Sequence, residues 1–244
     1  MNLSYTDIEC HAVNALTRFM GGLTSREEWI RPIKIENFAT HVLGLSLDYT
    51  RLSDDGRRLG ITTYADTKVE VRRYMRNEVI NIPANTLLLD ERLKQPLFPP
   101  DKELCRRRFT IAHECAHHLL HRMEPADRRR EMDSRYEGRV YSLGELETLD
   151  KWREWQANAM AAALLIPAKY LAVLLGRRRL TIYGKRMNIP DNLKLDNLCD
   201  RFKVSRTAMT LRLRQLGYVT VLPASAYHDP TDIECDDDFY FSQT

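Results

Sequence analysis

The sequence predicts an α+β protein: a small antiparallel sheet plus helices, followed by a helix-turn-helix-like module. Three observations predict it. Apolar residues recur at helical spacing over residues 5–20, 101–122 and 149–166. Short β-prone runs broken by turn residues fill 46–83. Beyond Gly176 the chain becomes basic and carries two further short helical patterns. A chain of 244 residues can bury a real core. Its 43% hydrophobic and 29% charged residues are a globular composition, and a net charge of +3 does not by itself imply nucleic-acid binding.

The first helix, 5–20, places Ile8, Ala12, Val13, Leu16, Phe19 and Met20 on one side and stops at Gly21-Gly22. A short helix covers 35–43. Strand signals follow at Leu47–Leu52, Gly60–Tyr64, Lys68–Arg73 and Val79–Pro83, with Asp54-Asp55-Gly56 marking a turn. A long helix runs from Asp101, expected as its N-cap after Pro99-Pro100, to about Arg122. Residues 124–148 are charged and poor in apolar positions, the pattern of a solvated loop or lid. Helices follow at 149–166, 168–175, 194–203 and 205–216. The division expected is 1–175 for the main domain, 176–222 for the basic module and 223–244 for an acidic, mobile tail.

Five cysteines, Cys10, Cys105, Cys115, Cys199 and Cys235, form no CxxC pair, so reduced thiols in the cytoplasm are expected rather than a disulfide framework. The segment MNLSYTDIECH lacks a basic stretch followed by an apolar core, so no signal peptide is expected. Ala157 to Gly176 is apolar enough to suggest a membrane span. It contains Asn158, Pro167 and Lys169, and two short buried helices meeting near Pro167 account for it without a membrane.

The chemistry concentrates at His113-Glu114-Cys115-Ala116-His117. Two histidines four residues apart on a helix lie on one face, one turn apart, where they can grip one ion. Glu114, beside the first, can reach a water on that ion without ligating it, which is the logic of the H-E-x-x-H zinc signature. A bare five-residue match is as often an accident of a solvated surface. Here the setting is apolar, with Phe109, Ile111, Ala112, Ala116, Leu119 and Leu120 around it. Leu120 and Met123 stand where metzincins need Gly and a third His, so the third ligand must come from elsewhere. Glu154 is the candidate, one acid at the end of the helix face Ala157, Asn158, Ala161, Leu165. Glu145, Glu147 and Asp150, just upstream, are its competitors. Asn158 and His121 are placed to orient a ligand from behind, whereas His118 points about 100° away and suits packing.

These residues resemble a known family. Arg107-Arg108-Phe109-Thr110-Ile111-Ala112-His113-Glu114 is similar to the RRFTIAHE segment of ImmA/IrrE metallopeptidases. Glu154-Trp155-Gln156-Ala157-Asn158-Ala159-Met160-Ala161-Ala162, followed by Leu164-Leu165-Ile166-Pro167, is similar to that family's E-x-x-A-N-x-F-A-A-x-L-L-M-P. The similarity covers roughly 30–220, strongly only at the motifs. It implies a zincin-like core with a gluzincin-like site: His113, His117 and Glu154 holding Zn2+, Glu114 as the catalytic carboxylate, and a helix-turn-helix repressor as protein substrate, cleaved to derepress genes. Cys115-Ala116 departs from the usual Leu-Gly and Met160 from Phe, with tighter packing expected at Ala116. Tyr136, Tyr141 or an Arg within 124–148 is expected to stabilise the oxyanion.

From Gly176 to Val219, eleven Lys/Arg stand against three Asp/Glu, a net of about +8. Residues 198–213 read helix, turn, helix, with Ser205 as N-cap and Arg206, Arg212 and Arg214 as candidate contacts to a partner protein or to phosphates. The plain alternative is a structural helical pair with a solvated basic face. A different class of function also fits: a DNA-binding regulator in which the metal is structural or sensory. An intact Glu114 favours the enzyme, because a structural site needs no base.

Overall fold

A computed structural model describes residues 3–73, 76–94, 100–122 and 149–227. The fold is α+β. Helix α1, Tyr5–Met20, begins with a capping box between Ser4 and Asp7 and ends at Gly21, whose left-handed φ of 69° an L side chain adopts at a cost. Its Ile8, Ala12, Ala15 and Leu16 are buried. Val13, expected on the same side, is exposed. Helix α2, Ile35–Asn37, continues into a wider turn over Phe38–Val42.

The sheet departs from expectation. Strands β1, Ser46–Thr50, β2, Gly60–Thr62, β3, Thr67–Arg73, and β4, Arg76–Ile82, fall near their expected places. A fifth, β5, Thr86–Asp90, was not expected. It lies at the centre of a three-stranded sheet, parallel to β1 and antiparallel to β2, while β3 and β4 form a separate antiparallel hairpin. The sheet is therefore mixed. Thr86-Leu87-Leu88-Leu89-Asp90 is buried at every position, so it has no alternation to announce a strand. Each of its three leucines stabilises the core by about 1.5–3 kcal/mol.

Helix α3, Pro100–His121, crosses this sheet. It starts at Pro100, one residue before the expected cap, since proline suits the first helical turn. Helix α4, Leu149–Leu165, packs on α3, and fully buried Ala112, Ala116, Ala157 and Ala161 let the two approach closely. Helix α5, Ala168–Leu175, follows a 50° bend. Among the described residues no single helix is long and apolar enough to cross a membrane, and the apolar faces of α4 and α5 are buried.

Helix α6, Ile189–Phe202, begins five residues before its expected start. Asn188 caps it, and Pro190 sits in its first turn, where the N–H it lacks has no helical acceptor. Helix α7, Arg206–Gln215, begins at the expected cap: Ser205 Oγ accepts from the Ala208 amide. Two unexpected strands, β6, Leu180–Tyr183, and β7, Val219–Leu222, pair in parallel around these helices. Arg108 of α3 donates to Lys203 O at 3.1 Å and Phe202 O at 3.4 Å, tying the end of α6 to the long helix. Buried Leu198, Phe202, Met209 and Leu213 belong to the same apolar cluster as Ile8, Ile111 and Met160, so one core runs through both segments.

Candidate metal centre

Helix α3 presents His113 and His117 on the face turned to α4, and α4 delivers Glu154 opposite them. Their ligand atoms lie within 4.8 Å of one another, a group that could hold a metal ion. The two Nε2 atoms are 3.0 Å apart. Glu154 Oε2 is 3.3 Å from His113 Nε2, and Oε1 is 3.1 Å from His117 Nε2. Both rings are buried.

The hydrogen bonds behind the rings set their tautomers. Asn158 Oδ1 lies 3.1 Å from His113 Nδ1, so Nδ1–H donates and Nε2 keeps its lone pair. Gln156 Oε1 lies 3.3 Å from His121 Nε2, which donates to it. His121 Nδ1 then accepts from His117 Nδ1–H at 3.1 Å, leaving the His117 Nε2 lone pair free as well. Two lone pairs and a carboxylate thus converge, a group that could hold a metal ion. The donor set fits a divalent metal with an open position.

Electrostatics agree. Burial opposes the charge on Glu154, but the two imidazoles facing it outweigh burial and hold its carboxyl well below the ordinary range. Burial likewise opposes a charged His113, yet Glu154, Glu114 and Asn158 outweigh it and raise its pKa. Burial, with His117 alongside, pushes His121 down to about 3, so it remains a neutral link between Gln156 and His117. Cys115, inside the motif, is fully buried, and burial together with Glu114 raises its thiol well above the ordinary value, so it stays protonated.

Glu114 leaves α3 on the side of β2. Thr62 Oγ1 donates to Glu114 Oε2 at 2.9 Å, whereas the buried Oε1 has no hydrogen-bond partner among the described residues. Gly60 makes room for this: a Cβ there would meet Glu114 Cγ at 2.8 Å and Oε1 at 2.9 Å. The second oxygen is therefore desolvated and has no hydrogen-bond partner among the described residues.

The remaining expectations divide. His118 is not among the converging atoms. It is buried and stacked on Tyr64 with ring centroids 5.9 Å apart, and burial and Arg122 push it down to about 4. Arg212 is a correction. It is 1% exposed and paired with Glu9 and Ile166 O, because α7 turns it inward against α1 and α4, and it cannot meet a partner. Arg206 is bound to Asp196 and to Asn192 Oδ1, and Arg214 is exposed. Tyr136, Tyr141, Glu145, Glu147 and the acidic tail beyond Tyr227 lie outside the described residues, as does the side chain of Asp150. Sequence reasoning missed Thr62, Gly60 and Gln156. Only Gln156 left a trace, as a polar residue that shares with Asn158 the otherwise apolar run from Trp155.

No protein-family model matches the chain, and no curated protein matches it.

Proposed function

We propose that this protein is a zinc-dependent endopeptidase that hydrolyses a peptide bond in a protein partner, with a zincin-like core of the kind its motifs resemble. The observation that carries this reading is a two-histidine, one-carboxylate group together with Glu114, the residue after His113, whose buried Oε1 has no hydrogen-bond partner among the described residues. A structural or sensory metal would need the first and have no use for the second. His113, His117 and Glu154 would hold Zn2+, with Asn158 and His121 orienting the rings. Bound there, zinc supplies Lewis acidity, acidifying water and polarising a carbonyl. Glu114 takes the proton of the attacking water at Oε1 and passes it to the leaving amine, while Thr62 holds Oε2 and keeps the carboxylate aimed. In this reading residues 1–175 carry the chemistry. The helix-turn-helix-like module at 176–222 selects the partner, a cytoplasmic helix-turn-helix repressor by the resemblance.

The DNA-binding alternative has less support, since of the three arginines that would contact phosphates Arg212 is buried and Arg206 is ion-paired. Glu114→Gln separates the two. The amide preserves shape but cannot accept a proton, so zinc content and fold should persist while cleavage of a repressor substrate disappears. Wild-type cleavage by that variant would overturn the mechanism. Salt-sensitive duplex binding by a chain that never cleaves would favour the regulator.

A further inference from the structure

A cleft of about 570 Å³ opens between the β6 turn, α6 and α7, away from the metal-binding group. Lys185, Arg186 and Arg214 stand exposed at its wall, with no carboxylate paired to them among the described residues. Arg206 also lines it but is already held by Asp196. The floor is apolar, built from Ile182, Met187 and Leu195. Three unpaired cations over an apolar floor suit a segment combining carboxylates with apolar side chains.

Such a segment starts at the rim. Tyr227 itself lines the cleft, its ring 5.4 Å from that of Tyr183, so the chain leaves the described residues at the cleft. Residues 228–244 contain Asp229, Asp232, Glu234, Asp236, Asp237 and Asp238, no lysine or arginine, and the apolar run Phe239-Tyr240-Phe241. Three extended residues at about 3.3–3.6 Å each reach roughly 10 Å from the rim. We infer that the basic cleft beside α7 is a binding site for acidic peptide, and that its resident occupant is this chain's own segment 229–241. An occupant tethered at the rim is present at a concentration of order millimolar, so an outside acidic segment must compete with it. This inference does not rest on the metal or on peptidase activity.

Two measurements on the full chain test it. Zero-length carbodiimide coupling at low salt, followed by proteolysis and mass spectrometry, should yield an amide between Lys185 Nζ and a carboxylate of 229–238. Its yield should fall steeply at about 0.5 M salt, where screening reaches within a few ångströms. Coupling found only between two chains would place the segment on a second copy and overturn the intramolecular assignment. Second, a fluorescent peptide of residues 228–244 is titrated against wild type and against a chain whose six tail acids are replaced by Asn or Gln. It should bind the amide-tailed chain and bind wild type at least about tenfold more weakly, given the tethered competitor. Lys185→Glu, Arg186→Glu and Arg214→Glu together in the amide-tailed chain should abolish binding. Their exposure predicts an unchanged thermal transition, and Arg214→Gln alone should weaken binding if the triple variant does not fold. Equal affinity for wild-type and amide-tailed chains, or binding indifferent to these substitutions, overturns the inference. So does a DNA duplex that binds the amide-tailed chain where the peptide does not.

Discussion

Thr62 on β2 donates its hydroxyl to Glu114 on α3, Oγ1 to Oε2 at 2.9 Å, and so joins the sheet to the residue beside the metal-binding group. If this bond aims the carboxylate, Thr62→Val should lower kcat about ten- to a hundredfold, since hydrogen bonds to charged groups contribute about 1.5–3 kcal/mol. KM and zinc content should change little, and Thr62→Ser should restore most of the rate. A Thr62→Val enzyme with wild-type kcat would leave the bond a structural one.

The metal-binding group predicts about one zinc per chain, as three protein ligands and an open position require. His113→Ala and Glu154→Ala should lose it in elemental analysis after dialysis, while Glu147→Ala and Asp150→Ala keep it. Gln156→Leu breaks the link through His121 to His117 and should weaken zinc binding about ten- to a hundredfold against a competing chelator. Full zinc retention by Glu154→Ala would mean another acid is the ligand.

Asp90 is fully buried and accepts from Arg92 Nε at 2.6 Å, Arg92 Nη2 at 2.9 Å and the Leu52 amide at 3.0 Å. Burial works against its charge, but these donors prevail and hold its pKa below the usual value of 3.8. The folded value lies below the unfolded one, so the stability it contributes is present above about pH 4 and is lost as pH falls through the folded value. Asp90→Asn should cost about 1.5–3 kcal/mol near neutrality. In urea unfolding the gap between wild type and variant should shrink below about pH 4. A gap constant from pH 6 to pH 2 would contradict the linkage.

Arg212 and Arg214 are two residues apart on α7 and face opposite environments. Arg212→Ala removes the partner of Glu9 and a donor to Ile166 O, and should cost about 3 kcal/mol, the lower end for breaking a buried pair because Glu9 is partly exposed. Arg214→Ala should change stability by no more than about 0.5 kcal/mol. Chemical denaturation measures both, and equal effects would mean that the inward turn of Arg212 is not structural.

The sequence by itself determined the local features, those that depend on neighbours a turn or two away. Helical spacing set α1, α4 and α5 almost to the residue, Ser205 capped α7, and the four-residue interval put His113 and His117 on one face. The helix face of small and apolar residues ending in one acid pointed to Glu154 ahead of Glu145, Glu147 and Asp150, and the structure brings Glu154 to the two histidines. What only the tertiary structure decided depends on contacts across tens of residues. β5 is buried on both faces and so carries no alternation. Thr62 and Gly60 meet Glu114 only because β2 pairs with β5 in one register over α3. Gln156 completes the histidine relay only because α4 crosses α3 at that point. Arg212 shows the same limit in reverse: its charge placed it at the surface, and the packing of α7 against α1 and α4, where Glu9 could neutralise it, placed it in the core.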